Sequence, residues 1–108
     1  MNGISPRAFA IDVETDDERA TVRVTGEVDL ETSAALRTAL LGLADDGTQL
    51  VTVDLAETDF IDSTGLHALV VAMKQLRLHG GDLVLKSPSR NAARVLELSG
   101  LSTVVKIL

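Results

Sequence analysis

Apolar and polar positions alternate from Phe9 to Val13, with Phe9, Ile11 and Val13 set against Ala10 and Asp12, the period of a half-buried strand. The polar run Thr15 to Arg19 reads as a turn. Ala20, Val22 and Val24 resume the alternation until Gly26 interrupts it, which predicts an antiparallel hairpin. From Glu31 the period becomes helical, with Ala35, Leu36, Ala39, Leu40 and Leu43 on one stripe and Arg37 facing away. Asp29 or Thr32 can cap its start, and Gly47 is placed to end it. Leu50 to Leu55 is short, rich in β-branched residues and nearly continuous in apolar character, as expected of a central strand covered on both faces.

A loop is expected from Ala56 to Asp62, then a second helix to about His79 with Leu66, Leu69, Val70, Met73 and Leu76 inward, stopped by Gly80-Gly81. Asp82 to Lys86 reads as a strand. Ser87-Pro88 then opens a third helix by the cap-then-proline pattern, with Ala92, Val95, Leu96 and Leu98 apolar and Gly100 at its end. Thr103 to Ile107 reads as a last strand. The order β-β-α-β-α-β-α-β predicts an α/β (α+β) domain, a mixed sheet with helices packed on it.

The 108 residues suffice for a single domain, residues 1–108, and the 45% hydrophobic content supplies its core. Phe9 and Phe60 are the only aromatic residues, which argues against rows of stacking rings for single-stranded nucleic acid. Without cysteine there are no disulfides, thiolate metal sites or thiol nucleophiles, and His67 and His79 are too few for a three-histidine metal centre. No metal and no cofactor are implied, and no P-loop, dinucleotide or zinc-protease motif occurs. The net charge of −6 disfavours phosphate backbones and anionic lipids, so neither nucleic acid nor membrane is an expected partner. No export leader or apolar span is evident, and the chain reads as cytoplasmic.

Charge changes sign along the chain. Residues 1–62 hold 14 acids and 4 bases, whereas residues 63–108 hold 2 acids and 6 bases. The halves either interleave in space or form an acidic and a basic face. Lys86, Arg90 and Arg94 make the clearest basic patch, read as a solvated helix face or as a contact for an acidic partner or a second copy.

The chemistry concentrates in D-F-I-D-S-T-G-L, Asp59 to Leu66, where the crossover delivers the start of the second helix. A hydroxyl there meets unpaired N–H groups and the positive end of the helix dipole, which tolerate a phosphate, and Gly65 would let a partner approach Ser63 closely. The alternative is that Asp62 or Ser63 is only an N-cap. His67, one turn beyond Ser63, mimics a base beside a nucleophile. A helical i, i+4 pair seldom aligns for proton transfer, and no third residue orients the imidazole, so a hydrolase is not expected. His67 reads instead as the rim of a docking face that Val71, Lys74 and Leu78 extend, either as partner surface or as shallow core. Asp54 near the end of a central strand, with Glu57, Asp59 and Asp62, raises a phospho-aspartate receiver, but the acidic pair and lysine such a site needs are missing.

Four motifs in order carry a resemblance: G-E-V-D at Gly26 to Asp29 with Thr32 after it; V-D-L followed by F-I-D-S-T-G-L at Phe60 to Leu66; Gly80-Gly81; and Ser87-Pro88 followed by Ser99-Gly100-Leu101. Together the sequence resembles a STAS domain of the anti-anti-sigma type, the anti-sigma factor antagonists. The resemblance implies the STAS fold and a binding activity with no catalytic residue. It implies a protein that, unphosphorylated, binds an anti-sigma factor serine kinase and frees the sigma factor. The kinase then phosphorylates Ser63, and a PPM-type serine phosphatase reverses this. Asp62, Thr64 and Gly65 would belong to the docking surface with Asp29 beside them, on a monomer or weak dimer. Some STAS proteins instead serve as scaffolds or lipid-transport subunits without a phospho-switch.

Overall fold

A computed structural model describes residues 7–108. The reading of an absent leader concerns residues 1–6, outside the described residues. Strands β1 (Ala10–Asp16) and β2 (Arg19–Val28) form the predicted antiparallel hairpin, turned at Asp17 with a positive φ of 53°. β2 then pairs in parallel with β3 (Leu50–Asp54), β3 with β5 (Asp82–Lys86), and β5 with the short β6 (Lys106–Ile107). Helices α1 (Ser33–Asp45), α2 (Ser63–Leu78) and α3 (Arg90–Ser99) fall in the predicted order.

Each strand of the sheet centre turns alternate side chains to the same face. Val22 and Val24 of β2, Val51 and Val53 of β3, and Leu83 and Leu85 of β5 are all buried there. Against them lie Leu36 and Leu40 of α1 and Leu69, Met73 and Leu76 of α2, in one continuous cluster. At about 1.5–3 kcal/mol for each such side chain, this cluster supplies the main cohesive term. α1 and α2 pack against each other, and α3 packs on the segment after β3.

Burial corrects the expectation for β3. Thr52 and Asp54 are only half-buried, so this strand is covered on one face and open on the other. The run that reads as continuous is in fact alternating, with Val51, Val53 and Leu55 inward. On the open face Asp12, Arg23, Asp54 and Lys86 stand directly opposite one another across four strands, and Arg23 bridges to Glu14 at 2.7 Å and Asp12 at 3.4 Å. The sheet order β1-β2-β3-β5-β6 places the acidic hairpin at one edge and Lys106 at the other. The sign change along the chain thereby becomes a gradient across the sheet.

β1 is also more open than its alternation predicts, because it is an edge strand: Val13 is 40% exposed. In α1 the buried stripe is Ser33, Leu36, Leu40 and Ala44, with Ala35 exposed. Thr32 is the N-cap residue but spends its hydroxyl on the Glu27 carbonyl at 2.8 Å rather than on the helix. α3 is capped by Ser89, whose Oγ accepts from Ala92 N–H at 3.2 Å, so Ser87-Pro88 precedes the cap. Leu98 faces solvent, since α3 buries only Ala92 and Leu96. After the left-handed Gly100, a short 3₁₀ turn (Leu101–Thr103) occupies the start of the expected last strand, closed by N–H bonds from Thr103 to Gly100 and from Val104 to Leu101.

The largest departure lies between β3 and α2. Within the expected loop, β4 (Thr58–Ile61) pairs in parallel with the end of β2, beyond the last β2–β3 pair. β2 therefore does not stop at Gly26. Gly26 (φ +88°) marks a bulge, and a Cβ there would lie 2.6 Å from the Arg7 carbonyl oxygen. Buried Thr58 locks β4 in place by donating its hydroxyl to the Val24 carbonyl at 2.8 Å.

Candidate functional site

The β2–β4 pairing builds the site. Its last bond runs from Asp62 N–H to the Val28 carbonyl at 3.0 Å, so the turn after β2 and the start of α2 emerge side by side. Asp62, in extended conformation, is the N-cap of α2. Its Oδ1 accepts from Thr64 N–H at 2.9 Å, from Gly65 N–H at 3.3 Å and from the Thr64 hydroxyl. The Thr64 hydroxyl first, then the two backbone N–H groups, hold the Asp62 carboxyl below its ordinary value against the opposing pull of burial.

Asp62 thus settles which residue caps the helix and leaves Ser63 free. Ser63 is the first helical residue, exposed, and its hydroxyl has no hydrogen-bond partner among the described residues. Thr64 is half-buried with its hydroxyl tied to Asp62. On the neighbouring turn, Asp29 accepts through Oδ1 from Glu31 N–H at 3.0 Å and Thr32 N–H at 3.1 Å, an arrangement that orders the loop before α1.

Gly65 is not an opening for a partner. It is buried, and a Cβ would lie 2.6 Å from both Ile61 Cγ1 and Val28 Cγ1. Its missing side chain lets α2 sit down on β2 and β4, which sets the height of Ser63 above the sheet. Gly65 therefore positions the site without forming its surface.

Ser63 and His67 form a ridge between two grooves. One, of about 570 Å³, separates α1 from α2 and is lined also by Leu30, Arg37 and Thr64. The other, of about 350 Å³, is floored by Leu66, Val70, Leu101 and Val104. His67 is exposed and makes no side-chain hydrogen bond or ion pair among the described residues. Farther along α2, Val71 is half-buried while Lys74 and Leu78 are exposed, so Leu78 at 78% exposure is surface and not shallow core. Asp54 lies on the open face of the sheet, accepting from Ala56 N–H at 2.9 Å and 3.9 Å from Arg23. Among the described residues no three His, Asp or Glu side chains gather as a metal-binding group, and no helix is long and apolar enough to cross a membrane.

Two residues here escape sequence reasoning. Leu30 is 78% exposed beside Asp29 and borders the first groove, and Arg37 lines that groove instead of merely facing solvent. The available signal for Leu30 was an apolar residue in a turn, off every strand or helix stripe.

The protein is thus a mixed sheet with helices packed on it, carrying an exposed hydroxyl at the start of a capped helix. Residues 10–108 match the STAS domain model, and the chain belongs to the STAS family. It is 31% identical over 97 residues to the anti-sigma-B factor antagonist of Bacillus subtilis (strain 168), covering 90% of this chain and 88% of that protein. The anti-sigma-B factor antagonist of Listeria monocytogenes is 34% identical over 94 residues, covering 87% and 82%. Among solved structures, an anti-sigma factor antagonist from Mycobacterium paratuberculosis superposes with a TM-score of 0.83 at 26% identity, over 93% of this chain and 85% of that one. These relatives are named as antagonists of anti-sigma factors.

Proposed function

We propose that this protein is an anti-sigma factor antagonist switched by phosphorylation of Ser63. Unphosphorylated, it binds an anti-sigma factor of the serine-kinase type and frees the sigma factor. The kinase phosphorylates Ser63 and is released, and a PPM-type serine phosphatase restores the binding form. The protein supplies no catalytic group; ATP and magnesium belong to the kinase. Such a cycle operates in the cytoplasm, where transcription is regulated.

The observation that carries this reading is the exposed, unbonded hydroxyl of Ser63 on a ridge between two grooves. Family membership and the names of the relatives support the partner class. On this reading Asp29, Asp62, Thr64 and His67 are the partner's contact residues beside Ser63, and the buried Gly65 supports them from beneath.

Electrostatics supports the off-switch. A phosphate adds about −1.5 to −2 charges next to Asp62. The Asp62 carboxylate already holds the Thr64 and Gly65 N–H groups, so the helix start offers the newcomer little compensation. Like charges a few ångströms apart in a desolvated interface cost on the order of a few kcal/mol, and each ~1.4 kcal/mol is tenfold in affinity. The test is titration of the cognate anti-sigma factor with two variants. Ser63→Ala binds as tightly as the unphosphorylated parent, and Ser63→Asp binds at least about tenfold more weakly. Equal affinities would sink the switch.

A further inference from the structure

The groove between α1 and α2 has a charge balance that the docking reading leaves unused. Arg37 reaches it from α1, and Ser63 and His67 from α2. Arg37 is exposed and makes no hydrogen bond or ion pair among the described residues, in contrast to Arg7, Arg23 and Arg77, which are each paired. Two of the nearby carboxylates are turned to local donors, Asp62 to Thr64 and Gly65 and Asp29 to Glu31 and Thr32, and the third, Glu31, does not line this groove. Arg37 is therefore a cation without a counter-ion, in the same groove as a hydroxyl without a hydrogen-bond partner.

A phosphate on Ser63 needs positive charge from outside the first turn of α2, whose Thr64 and Gly65 N–H groups are occupied. Among the groove-lining side chains Arg37 is the permanent cation, and His67 is the other that can gain positive charge. A guanidinium presents paired N–H donors that match phosphate oxygens, and its long stem can cross a groove.

Resting on the reading of Ser63 as the phosphoacceptor, we propose that Arg37, assisted by His67, is a phosphoryl-binding clamp that holds the Ser63 phosphate in cis across the α1–α2 groove. In the unphosphorylated protein Arg37 is open to an acidic group of the partner. After phosphorylation it becomes the internal counter-ion, and the groove is filled from within. Loss of the partner then comes from occupancy as well as from repulsion.

The test installs phosphoserine at position 63 by genetic incorporation, so that no kinase is required, in the parent, in Arg37→Gln and in Arg37→Lys. Phosphorus NMR follows the second ionisation of the phosphate. The charged and titratable groups around it are Asp62 and His67 on α2, Arg37 on α1, and Asp29 and Glu31 on the loop before α1. The parent phosphate is expected to bind its second proton about two- to fivefold more weakly than the phosphate of Arg37→Gln, the size of one exposed ion pair, with Arg37→Lys between them. The Arg37 Nε–H resonance is expected to move through the same titration. Identical phosphate titrations in the parent and Arg37→Gln, or a stationary Arg37 resonance, overturn the clamp. Affinity for the anti-sigma factor, measured on the same samples, separates this from the switch. A phosphate that still weakens binding with no clamp signature overturns only the clamp, whereas a clamped phosphate without effect on affinity overturns the switch.

Discussion

The backbone N–H of Asp62 donates to the carbonyl of Val28 at 3.0 Å, and this bond joins two halves of the site that lie far apart in sequence. It closes the β2–β4 pairing and sends the Asp29 turn and the Ser63 helix start out at the same end of the sheet. Asp62 then spends its side chain on α2 while its backbone is held by β2. One residue fixes the strand end, the helix start and the position of the hydroxyl.

Loss of the cap has a defined pH signature. Asp62→Ala is expected to lower stability by about 0.5–2 kcal/mol at neutral pH, measured by urea unfolding. The folded-state carboxyl is held below its ordinary value of 3.8. Its contribution is therefore complete above that value and disappears as pH falls through the lower folded-state value. The difference between parent and variant should shrink toward zero in acid; a difference that persists unchanged at about pH 2 would contradict the charged cap.

Gly65→Ala sets helix propensity against packing. Alanine gains about 1 kcal/mol in a helix. Its Cβ, however, meets Ile61 Cγ1 and Val28 Cγ1 at 2.6 Å, and both residues are buried with little room to yield. Overpacking of this kind costs about 1–3 kcal/mol, so the net change is destabilising. Val28→Ala should cost less in the Gly65→Ala background than in the parent, and strict additivity in that double-mutant cycle would refute the clash.

Leu30→Ser separates binding from folding. At 78% exposure Leu30 contributes little to the core, so stability should stay within about 0.5 kcal/mol of the parent. Affinity for the anti-sigma factor should fall by about tenfold or more, because an exposed apolar side chain bordering the groove beside Ser63 acts as an anchor once a partner covers it. Unchanged affinity in a calorimetric titration would remove Leu30 from the docking surface.

Arg7 ties the segment before β1 to β4. Its guanidinium donates to Asp59 Oδ1 at 2.7 Å and its backbone N–H to Asp59 Oδ2 at 3.2 Å. The guanidinium bond is the largest influence holding the Asp59 carboxyl below its ordinary value. In Arg7→Ala the Asp59 carboxyl carbon should titrate at higher pH than in the parent. The sign for stability follows: the contribution is present above the ordinary value of 3.8 and is lost as pH falls through the folded-state value. An unshifted Asp59 titration would show that the pair is not formed in solution.

The local pattern was sufficient for much of this molecule. Period-2 alternation in Ala20 to Val24, the helical stripes of α1 and α2, and the stops at Gly47, Gly80 and Gly100 are short-range properties. Side-chain direction and backbone preference act there within a few residues, so the chain itself declares them. The helix start at Ser63 was equally legible, because a helix start needs a cap and Asp62 or Ser63 could provide it.

Tertiary structure alone decided the rest. Thr58 to Ile61 reads as a loop, since four residues with Asp59 among them carry no clear period; it is a strand because the overhang of β2 offers unpaired N–H and C=O groups that must find partners. β3 reads as doubly covered until the helices are seen to share one face. Gly65 is expected at the surface and lies buried beneath the helix, while Leu30, to which the sequence assigns no place, is exposed, because burial depends on what packs across the chain and not along it. The sequence by itself therefore determined most of the elements and the place of Ser63 at the start of α2. The fold decided the surface around that residue, since Leu30 and Arg37 share a groove with Ser63, and Asp29 lies beside Asp62, only through long-range pairing and packing that no local preference encodes.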